Sequence, residues 1–346
     1  MKNLTVALSG INAVDNPGPG TGVARSLREA PEFGGKLVGL AYDAMEPGLY
    51  MDWLFDRRYI MPYPSSDAEV LIERLLHVQR NSGLDCVIPN LDVELPLYLS
   101  AQDALKQHGI HTFLPTRDQF RLRSKEFVGG IAKKIGIEVP ETAVVTSEPQ
   151  LREAAVRLGF PVMVKGPFYK AYKAYSLGEA VSHFHKLAAE WGYPIIVQKM
   201  VTGTELNLVG VGDGEGGDFG LVAIKKMWIT ELGKIWTGVT IKHEGMLQAA
   251  RNFLSETKWR GAFELECMLG HDGLIYMIEI NPRFPAWTYF ATGVGINLPL
   301  NLVRAATGLD VPKAPDYEAG KLFVRYTYEI VTDSEPLQQL VAHGER

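Results

Sequence analysis

Short apolar runs alternate with helix-like patterns over the first part of the chain, and this alternation constrains the fold more than any other feature. The apolar runs predict buried strands at residues 4–8, 37–40, 86–88 and 112–114. Between them, helical spacing or composition predicts three helices. One spans 23–30, one begins after a capping-box sequence at 66–69, and one spans 97–108. Strands that alternate with helices form parallel sheets with helices on both faces. We therefore expect residues 1–115 to form a doubly wound α/β domain.

The pattern changes after residue 116. Helical patterns at 125–135 and 179–190 flank a strand-like run at 161–165. Between 195 and 241, strand-like runs are joined by Gly-Asp-Gly turns, which is typical of an antiparallel meander. A helix at 246–255 then precedes two closing strands, 262–268 and 274–280, joined by an Asp-Gly hairpin signal. The sequence thus predicts an α+β region after the first domain.

Charge and composition argue against several classes of protein. The 346 residues carry a formal net charge of −5, and no segment forms a basic stripe, which argues against nucleic-acid binding. No apolar run approaches the roughly 20 residues that span a bilayer, and residues 1–8 resemble a strand and not a signal peptide. Cys86 and Cys267 each lie in an apolar segment, as buried reduced thiols do. We expect a cytoplasmic protein that binds neither nucleic acid nor membranes.

The strongest group of candidate site residues is segment 279–283, Glu-Ile-Asn-Pro-Arg, with Glu266 on the preceding strand. Glu266 and Glu279 are 13 positions apart on strands joined by a tight turn, so both carboxylates can face one cleft. Asn281 shares the face of Glu279 because side chains alternate along a strand. Since Mg²⁺ prefers such oxygen ligands, we expect these three residues to bind it, with Arg283 stabilising a transferring phosphoryl group. The alternative is a set of solvated acids at strand ends.

The run from Trp259 to Arg283, with Gly-Ala-Phe-Glu-Leu-Glu followed by Ile-Glu-Ile-Asn-Pro-Arg, resembles the metal-binding end of the ATP-grasp superfamily. It is most similar to the carbamoyl-phosphate synthetase and biotin carboxylase branches. The resemblance implies a Rossmann-like pre-ATP-grasp domain at 1–115, followed by a two-subdomain ATP-grasp fold. Its subdomains would span 116–196 and 197–335, with a tail at 336–346. It also implies ATP, with Mg²⁺ or alternatively Mn²⁺ bridging the phosphates. Glu264 has the strand parity of Glu266 and competes with it as a ligand, but the hairpin register of the family favours Glu266.

Other landmarks of the family occur in the expected order. Ser124-Lys125 opens a helix before Gly-Ile-Glu-Val-Pro at 136–140, and Lys165 ends a strand like the one that carries the second ATP lysine. The resemblance makes Lys125 and Lys165 phosphate contacts, while solvent-exposed caps are the alternative. Residues 196–201 resemble the hinge that binds adenine. The other implied nucleotide contacts are Gln198, Lys199, Val201, Glu205 at the ribose, and Met268 beneath the adenine or else in the core.

Two further features leave alternatives open. The loop at 166–176 corresponds to a glycine-rich flap over the phosphates, yet it lacks a glycine run. Either Lys170 and Lys173 supply charge instead, or an aromatic-rich flap packs on its own domain. Lys225 and Lys226 are neighbours on the strand that borders the phosphates, so at most one of them points inward. We favour Lys226 as the catalytic residue.

The resemblance implies an ATP-dependent ligase of the carboxylate–amine type. ATP would phosphorylate a carboxylate to an acyl phosphate, which an amine or similar nucleophile attacks, releasing ADP and phosphate. The aromatic segment 284–297 is expected either to line the acceptor side, for small-molecule or peptide substrates, or to be core. A homodimer is one possible oligomeric state. The alternatives are a non-catalytic ATP-binding regulatory protein and a dehydrogenase that uses the glycine loop 16–22 with Asp43, although that loop is a weak dinucleotide signal.

Overall fold

The chain divides into two units. A computed structural model describes residues 1, 3–166, 170–231 and 233–346, apart from the side chains of Lys125 and Glu126. The first unit contains Met1–Ile135, Leu206–Glu266 and Glu279–Arg346. The second unit contains Gly136–Glu205 and Cys267–Ile278.

The first unit opens with a parallel sheet. Its strands are β1 Thr5–Leu8, β2 Lys36–Ala41, β3 Arg57–Ile60 and β4 Cys86–Ile88. They lie in the order β3-β2-β1-β4, with β1 paired in parallel to both β2 and β4. The predicted parallel sheet is therefore confirmed. The predicted strand at 112–114 is wrong, since these residues form no strand. Strand β3 was not predicted, because two arginines at its start obscure the apolar pattern.

Helices cover both faces of this sheet, as predicted. They are α1 Pro19–Arg28, α2 Ala68–Ser82 and α3 Leu95–Gln107. Two further helices follow in the chain, α4 Arg117–Arg121 and α5 Lys125–Ile135. Val6 and Leu8 of β1 belong to the core cluster that contains α1, and Ala7 belongs to the cluster that contains α2. Alternate residues of a strand face opposite sides, so one strand serves both cores. Helix α1 begins at Pro19, earlier than expected, because the fixed backbone of proline suits a first helical turn.

The second unit has an antiparallel sheet with two helices packed on it. Its elements are β5 Thr142–Val145, α6 Glu148–Leu158, β6 Val162–Lys165, β7 Ala171–Ala174, α7 Leu177–Trp191 and β8 Ile195–Lys199. The strand order is β5-β8-β6-β7. Val162 and Val164 of β6 pack with Phe184 of α7 and Leu151 of α6 in one core cluster. This packing leaves Lys165, half-buried, at the end of β6.

A larger sheet contains the predicted meander and the two predicted closing strands. Its strands are β9 Gly203–Asp213, β10 Asp218–Ile229, β11 Ile235–Ile241, β12 Arg260–Gly270, β13 Ile275–Asn281 and β14 Leu322–Val324. The order is β13-β12-β9-β10-β11-β14, and β10 is antiparallel to both β9 and β11. The helices that accompany it are α8 Glu244–Thr257, α9 Tyr289–Gly293 and α10 Leu298–Ala306. This mixed α/β architecture agrees with the predicted fold class.

The segment predicted as a tail is ordered and covers a sheet edge. Helix α11, Glu335–His343, is followed by residues that bond to β3. The Ile60 amide donates to the Gly344 carbonyl at 2.7 Å, and the Arg58 amide donates to the Arg346 carbonyl at 2.8 Å. Covering an edge strand in this way satisfies its backbone groups. Within the described residues, no helix has the length and apolar content needed to cross a membrane.

Candidate active site

Two adjacent strands of the larger sheet carry the acidic and amide side chains of the predicted metal site. Glu264 and Glu266 lie on β12, and Asn281 is the last residue of β13. Residues two apart on a strand face the same side, so both glutamates can reach Asn281. Its Nδ2 donates to Glu264 Oε2 at 2.9 Å and to Glu266 Oε1 at 2.8 Å. Glu279 lies two residues before Asn281 on β13 and is exposed.

Glu264 is the buried member of this group, with 2% of its surface exposed. Asn207 Nδ2 donates to Glu264 Oε1 at 2.8 Å, and Trp287 Nε1 donates to the same oxygen at 2.7 Å. Burial, and then the charge of Glu266, raises the pKa of Glu264 to about 7. Glu266 is more exposed, so it is better placed than Glu264 to bind a ligand from solvent.

The lysine pair on β10 is divided between two environments. Lys226 has a side chain only 6% exposed, and its Nζ lies 3.7 Å from Glu266 Oε2. The same Nζ donates to the Gly233 carbonyl at 3.4 Å. Lys225 is exposed, because successive residues of a strand face opposite sides. The structure therefore places Lys226 beside the carboxylates.

Arg283 is held by an aspartate that the sequence did not single out. Its Nε donates to Asp92 Oδ2 at 2.8 Å, while Asp92 Oδ1 accepts from Arg123 at 3.0 Å. Arg283 Nη2 also lies 3.3 Å from Asn281 Oδ1. Burial alone would lower the pKa of Arg283, but the charges of Asp92 and Glu264 outweigh it and raise that pKa. The missed signal was the place of Asp92 just after β4, at the carboxyl edge of a parallel sheet where ligand-binding residues collect.

The chemistry of the donor set suits a hard divalent cation. Glu266 contributes a half-buried carboxylate, and Asn281 contributes an amide oxygen that faces away from the carboxylates. Such oxygens are the ligands that Mg²⁺ takes, usually together with phosphate oxygens and water. Among the residues that the structure describes, no three His, Cys, Asp or Glu side chains are gathered as a metal cluster.

The other predicted nucleotide contacts lie in the second unit, except Lys125. Lys165 Nζ donates to Gln198 Oε1 at 2.7 Å, and Gln198 Nε2 donates to Thr142 Oγ1 at 2.9 Å. These bonds tie the ends of β6, β8 and β5 together. Lys199 is exposed, and the half-buried contacts are Val201, Glu205 and Met268. The side chain of Lys125, on α5 of the first unit, lies outside the described part of the structure.

The described part of the predicted flap is a strand that packs on its own unit. Residues 167–169 lie outside the description, and β7 follows them, paired antiparallel to β6. The Tyr172 ring stacks on His183 of α7 at a centroid distance of 4.9 Å. Lys170 forms an ion pair with Glu190, whose hydrogen bond raises the pKa of Lys170. These contacts agree with the packed alternative for this loop.

A half-buried arginine on the segment after β14, Arg325, was also missed. Arg325 Nη1 donates to the Pro17 carbonyl at 3.0 Å, and its Nη2 donates to the Ala286 carbonyl at 2.6 Å. Its Nε is buried and has no hydrogen-bond partner within the described residues. Burial lowers the pKa of Arg325 to about 10, which marks a cation held without a compensating carboxylate. No local sequence pattern reveals this, because the contacts join positions far apart in the chain.

Lys234 extends the positive charge around Arg325. Its Nζ donates to the Val14 carbonyl at 2.7 Å. Burial lowers the pKa of Lys234; Asp15 opposes this effect, and the charges of Arg283 and Arg325 add to it. Lys234 thus feels the charges of both Arg283 and Arg325, which favours binding of an anion near it.

The glycine loop and the aromatic segment have structural explanations. The Gly18 amide donates to the Asn12 carbonyl and the Gly20 amide to the Gly10 carbonyl, so both donors are used within the loop. A Cβ atom at Gly20 would lie 2.0 Å from the Ser9 carbonyl oxygen, so this glycine allows α1 to approach the end of β1. In the aromatic segment 284–297, Phe284, Trp287 and Phe290 are buried, as in the core alternative.

Sequence comparison finds relatives for part of the chain. No protein-family profile matches it. It is 28% identical over 210 residues to an acetyl-CoA carboxylase from Dictyostelium discoideum, covering 57% of this chain and 9% of that protein. It is 29% identical over 151 residues to a phosphoribosylamine–glycine ligase from Mycobacterium leprae, covering 41% of this chain and 35% of that protein. The matches therefore span well under two thirds of these relatives.

Structure comparison covers nearly the whole chain. The biotin carboxylase domain of a 2-oxoglutarate carboxylase from Hydrogenobacter thermophilus, solved with MgADP, ADP and bicarbonate, superposes with a TM-score of 0.69. The match covers 93% of this chain and 74% of that one at 16% sequence identity, which shows likeness of fold. The resemblance predicted from the sequence is confirmed: this chain has the fold of the ATP-grasp superfamily.

Proposed function

We propose that this chain is an ATP-dependent ligase that joins a carboxylate to an amine or similar nucleophile. A carboxylate oxygen of the substrate attacks the γ-phosphorus of ATP, the bond to the β-phosphate oxygen breaks, and ADP leaves. The amine then attacks the acyl carbon, loses a proton, and displaces phosphate as the C–N bond forms. In such phosphoryl transfer the protein acts mainly by positioning groups and stabilising charge.

The gathering of two oxygen ligands and two cations in one unit is the observation that carries this proposal. Glu266, Glu279 and Asn281 would hold Mg²⁺ or Mn²⁺, which when bound neutralises phosphate charge. Arg283 would stabilise the phosphoryl group in flight, and Lys226 would contact phosphate from the neighbouring strand. Asn281 is hydrogen-bonded to Glu266 and to Arg283, and Lys226 lies 3.7 Å from Glu266.

Nucleotide binding by the second unit belongs to the same proposal. Lys165 would contact phosphate and adenine, and its bond to Gln198 would orient it. The proposed contacts that complete the set are Lys125 at phosphate, Lys199 and Val201 in the hinge, Glu205 at the ribose, and Met268 at the adenine. A small-molecule or peptide substrate, a homodimer and a cytoplasmic location remain predictions.

Arg325 and Lys234 would bind the anionic group of the substrate. A half-buried guanidinium with no carboxylate partner in the described residues is costly, and an anionic ligand would compensate it. We therefore propose that the carboxylate to be activated lies beside Arg325.

Trapping the acyl phosphate tests the proposal. With Mg-ATP, hydroxylamine and a panel of carboxylic acids and amino acids, we expect acid-dependent ADP release and formation of the matching hydroxamate. With a carboxylate labelled with ¹⁸O, one label should appear in the released phosphate. ADP release that does not depend on any acid, or no ADP release at all, would contradict the ligase assignment.

Arg325→Met tests the substrate site separately. Losing one charge-assisted contact of about 1.5–3 kcal/mol should raise KM for the acid roughly ten- to hundredfold and leave KM for ATP unchanged. Arg251→Met, which changes an exposed arginine of the same unit, is the matched control. An equal rise of KM for ATP would place Arg325 at the nucleotide instead.

A further inference from the structure

Glu264 is a charged side chain placed deep inside the larger sheet, where the predicted metal ligands do not require one. Only 2% of its surface is exposed, and a buried carboxylate is costly unless its hydrogen bonds are satisfied. Three side chains from separate elements donate to it: Asn207, Asn281 and Trp287. This arrangement fixes Glu264 in one orientation.

The two oxygens of Glu264 have different partners. Oε1 accepts from Asn207 at 2.8 Å and from Trp287 at 2.7 Å. Oε2 accepts from Asn281 at 2.9 Å. Rotation of the carboxylate would break bonds on both sides, so Oε2 is presented to the amide of Asn281.

That contact decides which way the Asn281 amide faces. Its Nδ2 carries two hydrogens, and one can go to Glu264 Oε2 and the other to Glu266 Oε1. Both carboxyl groups act here as acceptors, so they select the nitrogen and turn Oδ1 the other way, where it accepts from Arg283 Nη2 at 3.3 Å. That hydrogen bond is long, and an asparagine oxygen is a ligand that a divalent cation takes, so a bound cation would replace Arg283 at this oxygen.

Of the two carboxylates, Glu264 is the one that can hold Asn281 permanently. Glu266 is half-buried and is itself a predicted metal ligand, so its oxygens are needed elsewhere when a cation binds. Resting on the function proposed above, we propose that Glu264 is a positioning residue: it anchors the Asn281 amide nitrogen so that Oδ1 faces the metal. Glu264 does not bind the cation itself.

Exchanging the acceptor and the donor tests this pair. In Glu264→Gln an amide nitrogen faces that of Asn281 and forces its Oδ1 away from the metal. In Asn281→Asp two carboxylates face each other. The double variant restores one donor–acceptor pair with the original net charge. We would measure Mn²⁺ binding to each protein with saturating ADP by electron paramagnetic resonance, which needs no turnover.

We expect Glu264→Gln to bind Mn²⁺ at least roughly tenfold more weakly than wild type, as loss of a partner behind a metal ligand does. Asn281→Asp shows the separate effect of a carboxylate at the ligand position. The double variant should recover most of that affinity, and it should do so even if Glu264→Gln alone fails to fold. A double variant that binds no better than Glu264→Gln, or does not fold, would overturn the positioning role. Wild-type protein that binds no Mn²⁺ with ADP would instead overturn the proposed metal site itself.

Discussion

Replacing Asp92 by asparagine removes the charge that holds two arginines at the candidate site. Asp92 accepts from Arg283 at 2.8 Å and from Arg123 at 3.0 Å, and its side chain is 23% exposed. A charge-assisted hydrogen bond contributes about 1.5–3 kcal/mol when well buried. An asparagine keeps one oxygen acceptor but turns an NH₂ group toward the other guanidinium. Allowing for partial exposure, we expect Asp92→Asn to lower the free energy of unfolding by about 2–3 kcal/mol.

Chemical denaturation of Asp92→Asn and of a control variant, each compared with wild type, measures this effect. The matched control is Asp316→Asn in the same unit, since Asp316 pairs with Lys242 but is 80% exposed. That exposed pair should contribute little, because solvent screens it. Equal midpoints for Asp92→Asn and Asp316→Asn would refute the reasoning, and would mean that Glu264 and solvent suffice to balance the charge of Arg283.

Two further variants test other parts of the chain. Burial raises the pKa of Glu46 to about 7 against an unfolded value of 4.5, so its ionisation destabilises the fold as pH rises between those values. Glu46→Gln should therefore be more stable than wild type by roughly 2–3 kcal/mol at pH 8 and no more stable below pH 4.5, and an offset independent of pH would contradict this. Glu205→Ala should raise KM for ATP more than it lowers kcat, as loss of uniform binding does. Glu153→Ala, on the exposed face of α6, is its control, and an unchanged KM would place the ribose elsewhere.

The residues that local pattern made predictable share one property: their role depends on neighbours close in sequence. The strand and helix alternation before residue 115 predicted the parallel sheet, because burial on both faces leaves apolar runs. The hairpin spacing brought Glu266 near Asn281, because alternation along paired strands fixes which side chains meet. Alternation along the strand predicted that only one of Lys225 and Lys226 faces inward. It could not predict which one, because the sequence does not show which face of the strand is buried.

Tertiary structure decided the contacts between positions far apart in the chain. Asp92 reaches Arg283 across 191 positions, and Arg325 reaches Pro17 across 308. Glu264 seemed only a rival to Glu266 until packing buried it among three donors. Such contacts leave no periodic trace in the sequence, because each depends on how separate elements pack and not on the spacing within one. The sequence by itself determined the elements and the metal hairpin; packing determined which charges are buried, and thus how that hairpin is held.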